Sequence, residues 1–287
     1  MATSQVAIGA HCSAAGGLWK AIERAVAIEA EAVQLFGSSP RTWRVTQHDE
    51  EALERFRSLR VEADIGEVWL HGSYLVNLAA SSQEHHAKSI ASVVNALTVA
   101  EQIDADGVVL HTGSHKGEGL LAVRPRVLQA LAQIFDEAPD GPVLALENAA
   151  SQQGPIGGAF SELGSILEGA ASSRLRVCLD TCHTFAAGYE IRTPEGLAQT
   201  LAEFEQEIGL DSLAVVHAND SKQELGSGRD RHENIGDGYV GNDGFRTILA
   251  ESAFAGLSLL LEVPGISQNG PDLENVRRLK LLRGASS

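Results

Sequence analysis

Short apolar segments recur along this chain at a regular interval. Each has the length of a β-strand and is nearly continuous in Val, Leu and Ile, which is typical of parallel strands buried on both faces. Their ends follow one another roughly every 36 residues, the length of a strand, a loop and a helix together. Eight such segments occur, at 6–11, 32–36, 67–71, 107–112, 143–148, 176–181, 213–220 and 257–263.

The stretches between these segments have helical character. Residues 18–30 and 86–103 place their apolar side chains at helical spacing, mostly on one face. Thr193 followed by Pro194 is typical of a helix N-cap with proline at the first helical position. Eight strand–helix units in 287 residues predict an α/β protein, a single TIM (β/α)8 barrel domain spanning 1–287. A doubly wound open sheet is the alternative, but the first strand leads into GAHCSAAGG rather than into G-x-G-x-x-G.

The composition restricts the classes of protein that this chain can be. Hydrophobic residues make up 44% and charged residues 21%, which suffices for a large core and excludes a disordered chain. No apolar run approaches the ~20 residues of a membrane span, and we expect no secretory signal at the N-terminus. Three cysteines are too few for a disulfide framework, so we expect a cytoplasmic protein. The net charge of −16 argues against non-specific binding of nucleic acid.

Side chains that can bind a metal ion stand at the ends of the predicted strands. A barrel brings the carboxyl ends of its strands to one rim, so these side chains would converge there. So many imidazoles and carboxylates in one place need a common counter-charge, and the combination favours Zn²⁺ or Mn²⁺. Seven of the eight segments end in this way, on His11, His71, His111, Glu147, Asp180, His217 and Glu262.

Two local clusters add candidate ligands. His183 follows Asp180 by three residues, and Asp230 and His232 lie in the long segment after the seventh strand. If that segment is extended, the side chains of Asp230 and His232 project to the same side and could share one ion. The candidates outnumber the ligands of one four-coordinate ion, which predicts a site for two or three ions. Several ions held close together are suited to the hydrolysis of a phosphodiester.

The segments around these residues resemble endonuclease IV, the zinc-dependent apurinic/apyrimidinic endonuclease family. The resemblance implies a monomeric TIM barrel that acts in base excision repair on double-stranded DNA. Such an enzyme cleaves the backbone 5′ of an abasic site, leaves a 3′-hydroxyl and removes blocking groups from 3′ ends. The matching segments span nearly the whole chain and are GAHCSAAGGL (9–18), HGSYLVNLA (71–79), HTGSH (111–115), ENAASQQG (147–154), LDTCHTFAAGY (179–189), HANDSK (217–222), DRHENIG (230–236) and LEVPG (261–265).

The resemblance also implies the metal content and the ligands. All nine ligand positions of the family carry the expected residue type, and they would hold three Zn²⁺, with Mn²⁺ as an alternative at one or more positions. Glu147 would bridge two of the ions and is the predicted catalytic residue. The three ligand sets are His71, His111 and Glu147; Glu147, Asp180, His217 and Glu262; and His183, Asp230 and His232.

Further residues acquire predicted roles from the same resemblance. Arg41, Tyr74 and Leu75 would contact DNA at the lesion, while His11 and His115 would support the ligands without binding an ion. The four carboxylates of the ligand set carry a formal −4, which three Zn²⁺ would convert to about +2. Metal binding would therefore let an acidic chain bind an anion.

The sequence departs from the family's pattern near the predicted DNA contacts. Gly72 follows the first ligand histidine, where the family usually has an acidic or polar residue. Ala149 and Ser151 replace a threonine and a glycine, and residues 37–40 read GSSP without the expected lysine and asparagine. These changes leave the predicted ligands intact but alter the loops beside them.

Two other functions fit parts of the pattern. A metal-dependent sugar isomerase or epimerase has similar residues at its strand ends, but it needs fewer ions and often a catalytic lysine, and no lysine ends a strand here. A barrel that binds metal or DNA without catalysis is the other alternative. The complete ligand set argues against it.

Overall fold

A computed structural model of the chain describes residues 5–151 and 153–285. Eight parallel strands close into a barrel, because β1 pairs with β2 on one side and with β10 on the other. This closure confirms the predicted TIM barrel and excludes the open sheet. The barrel strands are β1 (Ala7–His11), β2 (Val33–Leu35), β3 (Val68–His71), β4 (Gly107–His111), β5 (Val143–Glu147), β6 (Leu175–Asp180), β7 (Leu213–His217) and β10 (Ser258–Leu261).

Helices surround the barrel and cover its outer face. The two segments predicted to be helical, 18–30 and 86–103, correspond to α1 and α3, and the Thr193 side chain caps α7 by accepting a hydrogen bond from the Gly196 N–H. None of the described helices has the length and apolar character that crossing a membrane requires. The helices are α1 (Trp19–Ala27), α2 (Glu50–Glu62), α3 (Gln83–Gln102), α4 (Leu120–Glu137), α5 (Phe160–Ala170), α6 (Thr181–Ala187), α7 (Pro194–Glu207), α8 (Gly241–Ala250) and α9 (Leu273–Ala285).

The long segment after β7 contains a short antiparallel pair of strands. β8 (Asp220–Ser221) pairs with β9 (His232–Glu233), so the seventh predicted strand ends at His217 and a separate short strand follows. The buried Asp220 carboxylate accepts hydrogen bonds from the N–H groups of Gly236, Gly238 and Val240. This carboxylate fixes the chain that returns from β9.

The inside of the barrel has two layers of side chains, one apolar and one polar. The apolar layer is a separate cluster of buried residues, distinct from the larger core between barrel and helices. Because side chains alternate along a strand, the residue two positions further on points to the same side. The apolar layer consists of Ala32, Trp69, Val109, Ala145, Cys178, Val215 and Leu260. Two positions on, the polar layer consists of Gln34, His71, His111, Glu147, Asp180, His217 and Glu262.

Two glycines allow the apolar layer to pack. A Cβ atom on Gly107 would lie 2.7 Å from the Trp69 ring and 2.6 Å from the Val143 carbonyl oxygen. On Gly9 it would lie 2.6 Å from the Leu260 side chain. Large side chains therefore fill the barrel below the polar layer, and the polar groups sit above a hydrocarbon floor.

Candidate metal centre

The carboxyl ends of the barrel strands position most of the candidate ligands. Asp180 ends β6 and is also the N-cap of α6, since its Oδ1 accepts a hydrogen bond from the His183 N–H at 2.8 Å. The same carboxylate thus places His183 in the first turn of the helix. His232 lies in β9, and Asp230 precedes it. The residues that end barrel strands are His71, His111, Glu147, Asp180 and His217, and Glu262 follows β10 directly.

Glu147 lies at the centre of the site, and its carboxyl group is fully buried. Its Oε2 is 3.3 Å from His71 Nε2 and 3.4 Å from His111 Nε2. Its Oε1 faces the other way and is 3.2 Å from both His183 Nδ1 and His217 Nδ1. One carboxylate therefore faces two groups of imidazoles, as a bridging ligand must.

The nine imidazole and carboxylate candidates fall into three groups whose ligand atoms lie within 4.8 Å of one another, and a fourth group of this kind includes Cys182. Glu147 belongs to two of these groups, so two of the three share a carboxylate. The groups coincide with the sets that the family resemblance implied. They are His71, His111 and Glu147; Glu147, Asp180, His217 and Glu262; and His183, Asp230 and His232.

Hydrogen bonds to backbone carbonyls orient three of the imidazole rings. Nδ1 of His71 lies 2.8 Å from the Gly72 oxygen, and Nδ1 of His183 lies 2.9 Å from the Asn148 oxygen. Nδ1 of His232 is 3.3 Å from the backbone oxygen of Glu262. A carbonyl only accepts, so Nδ1 carries the proton in each ring and the Nε2 lone pair is left for a ligand.

Two buried nitrogen atoms show that the site suits a cation. Nε2 of His183 and Nε2 of His232 are inaccessible to solvent and make no hydrogen bond within the described residues. Each lies 3.2 Å from an oxygen of Asp230. Buried lone pairs facing a carboxylate need a positive charge between them, and imidazole with carboxylate is a donor set that Zn²⁺ accepts.

The electrostatics of the polar layer lead to the same conclusion. Burial opposes charge on Glu147, yet the neighbouring rings of His111, His217 and His183 hold its pKa well below the ordinary value. Burial likewise opposes charge on His232, but Asp230 and Asp180 raise its pKa to about 9. Protons on the rings therefore balance the carboxylates. Metal ions could take the place of those protons.

Three amide side chains that the sequence did not single out hold the ligands in place. Asn219 donates to Asp180 Oδ2 at 2.6 Å and accepts from the backbone N–H of Glu262 at 2.8 Å. Asn148 accepts from the backbone N–H of Asp180. Gln34 lies between His217 and Glu262. For Gln34, the signal that could have been used is a polar residue inside the apolar run AVQLF.

The two histidines predicted to support the ligands differ in their surroundings. Nδ1 of His11 is 3.1 Å from Glu262 Oε1, in direct contact with a candidate ligand. His115 instead accepts hydrogen bonds from the N–H groups of Gly117 and Gly119, and so fixes the turn after β4. Within 5–151 and 153–285, no hydrogen bond joins the His115 ring to a candidate ligand.

A cleft of about 880 Å³ opens beside the candidate ligands. Arg41 and Tyr74 line it together with His232 and Glu262. Tyr74 is 59% exposed, and its ring packs edge-on against Phe36, with 5.3 Å between ring centres. The Tyr74 N–H and the Ser73 hydroxyl both donate to the Pro40 carbonyl, so the loops after β2 and β3 form one wall.

Leu75 and the altered loop after β5 complete the surroundings of the site. Leu75 is half-buried, and its carbonyl lies 2.8 Å from Nε2 of His85. A second cavity of about 250 Å³ lies between the candidate ligand His183 and the departures from the family pattern, Ala149 and Ser151. Gln152 of the same loop lies outside the described residues.

Cys182 is a further neighbour of the site. Its sulfur lies within 4.8 Å of ligand atoms of Asp180 and His232. Burial raises the pKa of this thiol to about 12. The group is a neutral thiol at neutral pH, which agrees with a packing role next to ligands that already suffice.

Fold and site together define a TIM barrel with a buried histidine–carboxylate centre that could bind metal ions. Residues 22–282 match the family described as xylose isomerase-like TIM barrel. The chain is 38% identical over 274 residues to the probable endonuclease 4 of Halothermothrix orenii, covering 95% of this chain and 99% of that protein. The crystal structure of endonuclease IV from Thermus thermophilus matches with a TM-score of 0.85 and 33% identity, over 97% and 99% of the two chains. The chain belongs to the endonuclease IV family.

A more distant likeness concerns the fold alone. A D-tagatose 3-epimerase-like protein matches with a TM-score of 0.73 over 98% of this chain and 97% of that chain, but only 18% of the aligned residues are identical. The sugar-converting alternative thus shares the barrel.

Proposed function

We propose that this chain is a metal-dependent endonuclease that hydrolyses the DNA backbone 5′ of abasic sites, leaving a 3′-hydroxyl. Membership of the endonuclease IV family makes the chain a DNA-cleaving hydrolase. The observation that carries the proposal is the convergence of nine imidazole and carboxylate side chains into three groups, two of which share Glu147. The proposal includes removal of blocking groups from 3′ ends and a role in base excision repair. It also includes action as a monomer, since one chain supplies all nine side chains.

The three groups would hold three zinc ions, with manganese as an alternative at one or more positions. When bound, such ions lower the pKa of a water molecule so that it can attack at neutral pH, and their positive charge stabilises the negatively charged transition state at phosphorus. Imidazole and carboxylate donors suit zinc, and the Nε2 lone pairs of His183 and His232 have no other described partner. The donor chemistry of this chain therefore fits the proposed metal content.

The residues of the chain contribute fixed positions for the reacting groups. The two oxygens of Glu147 face different imidazole groups, so this residue would link two ions and is the proposed catalytic residue. The rings of His71 and His183 are held through Nδ1, with the proton on that atom. Groups fixed before substrate binds need no reorganisation during the reaction. The hydrocarbon floor excludes water from below.

Arg41, Tyr74 and Leu75 are the proposed DNA contacts at the lesion. Arg41 is exposed and lines the same cleft as the candidate ligand Glu262, while Tyr74 lies on the adjoining loop of the same wall. An abasic nucleotide leaves the stack at low cost, and side chains inserted at that point bind only an already opened stack. Arg41→Ala should therefore weaken binding to an abasic duplex about tenfold and leave binding to an intact duplex nearly unchanged. Fluorescence anisotropy measures both affinities.

The neighbouring exposed Arg44 offers a matched control for Arg41. Arg44→Ala removes the same charge from the same loop, so it should change both affinities equally. Equal losses on the two duplexes for Arg41→Ala would contradict the insertion role and leave the metal chemistry untouched.

Metal content and metal dependence test the main proposal. Mass spectrometry under native conditions should find three zinc ions per chain, and prolonged chelation should abolish cleavage of an abasic duplex. Added Zn²⁺ or Mn²⁺ should restore it. Cleavage by verified metal-free protein would contradict the mechanism, and a single bound ion with conversion of a ketose sugar would favour the epimerase alternative.

A further inference from the structure

We propose that Gln34 is a positioning residue of the metal centre: it determines which ring nitrogen of His217 faces the ions and holds the carboxylate of Glu262 in place. The inference rests on the metal-binding part of the proposed function. No segment of the family resemblance contains Gln34, which lies in β2, the barrel strand before Phe36. β2 supplies none of the nine candidate ligands, so its member of the polar layer is free to serve another purpose.

The side chain of Gln34 is fully buried, and both its amide nitrogen and its oxygen have polar partners. Its Nε2 donates to Glu262 Oε1 at 2.7 Å, and Nδ1 of His11 lies 3.0 Å from the same amide nitrogen. Its Oε1 is 2.9 Å from Nε2 of His217. An amide has two N–H donors and one oxygen, and each has a partner here.

These contacts fix the proton on His217. A carboxylate only accepts, so the atom of Gln34 that faces Glu262 must be the NH2 group. The other end of the amide is then the oxygen, and Nε2 of His217 must donate to it. Nδ1 of His217 is left with its lone pair, and it faces Glu147 Oε1 at 3.2 Å and Glu262 Oε2 at 3.3 Å.

His217 is therefore turned the opposite way from the other oriented rings. His71, His183 and His232 each hold a backbone carbonyl through Nδ1 and present Nε2 to the site. Among the described hydrogen bonds of His217, the partner of Nε2, the nitrogen that points away from the candidate ligands, is the side-chain amide of Gln34. Without Gln34, nothing described in the chain selects this tautomer.

Gln34 also gives the two carboxylate oxygens of Glu262 different surroundings. Oε1 accepts from the Gln34 amide and lies 3.1 Å from His11, while Oε2 faces His217. One oxygen is thus held by the protein and the other is left for an ion. Partners of this kind, which contact ligands rather than the metal, typically change metal affinity by ~10–100-fold.

Zinc affinity and the histidine ring signal in the zinc-loaded chain test the inference. Gln34→Leu removes the amide at similar size, and it should weaken binding of one zinc ion at least about tenfold in a competition titration with a chromophoric chelator. In ¹⁵N-labelled protein, the Nε2–H proton of His217, assigned with His217→Asn, should resonate downfield in the wild type, where Gln34 accepts it, and should shift upfield in Gln34→Leu, where that acceptor is lost. Val33→Ala, the adjacent position in β2, is the control for loss of core packing and should leave both measurements unchanged.

A second variant separates the two roles and serves if Gln34→Leu does not fold. Gln34→Glu keeps an oxygen for His217 but cannot donate to Glu262 when ionised, so the Nε2–H signal should stay downfield. An upfield shift of that signal in Gln34→Glu would overturn the inference, as would equal zinc affinity of Gln34→Leu and Val33→Ala. Both measurements are made without DNA. A chain that shows the Gln34 effects and does not cut abasic DNA would contradict the proposed function alone.

Discussion

Trp69 and His71 stand two residues apart on β3 and point to the same side, yet their surroundings have little in common. Trp69 belongs to the apolar layer and packs against hydrocarbon, while His71 faces the buried carboxylate of Glu147 at 3.3 Å. The same step from hydrocarbon to ligand recurs on β4 from Val109 to His111, and on β7 from Val215 to His217. One backbone geometry thus carries two layers of opposite chemistry.

The two layers make opposite contributions to the protein. Burial of apolar side chains stabilises the barrel, whereas buried imidazoles and carboxylates cost free energy unless each has a partner. The lower layer can therefore be expected to determine stability, and the upper layer to determine metal binding and rate. The low dielectric of the lower layer also strengthens the electrostatic interactions just above it.

The largest effect is expected from Trp69→Ala, which opens a cavity in the apolar layer. A tryptophan truncated in a packed core typically costs ~3–5 kcal/mol of unfolding free energy. Urea denaturation should show this loss. Zinc content and the rate of cleavage by the folded fraction should stay close to wild type, because His71 keeps its strand and its hydrogen bond to Gly72.

Trp69→Phe retains a ring at the same position and should lose less stability than Trp69→Ala. A Trp69→Ala protein that binds no zinc while it remains folded would show that the two layers cannot be separated.

Glu147→Gln makes the opposite change, in the polar layer. The volume is retained, but the charge that faces four imidazoles is lost. The single-turnover rate on abasic duplex should fall at least ~10²-fold, as on removal of a key electrostatic stabiliser. Circular dichroism should show an intact fold, and anisotropy should show that DNA binding is largely retained.

Glu118→Gln gives the same change in net charge outside the site, in an exposed ion pair with Arg126. Its rate should equal that of the wild type. If Glu147→Gln instead unfolds the protein, Glu147 is a structural residue of the core.

The barrel and the strand ends could be predicted because both follow from local pattern. Apolar runs repeat at a fixed interval, and residues such as His71 and Glu147 end them, so one rim had to collect the polar groups. The pairing of Asp230 with His232 followed from extended geometry, and the ligand atoms of the two residues lie 3.2 Å apart. The ligand roles themselves stay a prediction.

Contacts between distant strands could not be predicted from the sequence. Gln34 was missed because only the last residue of each apolar run was considered as a site residue. Its run continues to Phe36, two positions beyond the residue that faces the polar layer. Its partners Glu262 and His217 are 228 and 183 residues away. Strand register decides such contacts, and a single sequence does not contain it.

The smallest effect concerns pH, and it distinguishes the layers because only the polar one titrates near neutrality. Nearby carboxylates raise the pKa of His71 and His183, and that of His232 to about 9, from an ordinary 6.5. Cys178, followed by Glu262 and Glu147, raises the pKa of His217. A ring whose pKa is higher in the folded state than in the unfolded state stabilises the folded state at every pH at which the folded ring is protonated. This stabilisation is complete below pH 6.5 and is lost as pH rises toward the folded pKa. The Tm of metal-free protein should therefore fall between pH 6.5 and about 8.5.

Two other rings act against this fall in the lower part of the window. Burial lowers the pKa of His11 and His111, so their unfolded forms lose protons just above pH 6.5 while their folded forms are already neutral, and this contribution ends about one pH unit higher. The fall in Tm should amount to a few degrees, since about 1 kcal/mol corresponds to ~2–4 °C in a protein of this size. Scanning calorimetry after exhaustive chelation measures it. His232→Asn should reduce the fall, and zinc-loaded protein should not show it, because its rings hold ions in place of protons. A Tm that stays constant or rises across the window in metal-free protein would mean that the carboxylates of the polar layer do not hold protons on these rings.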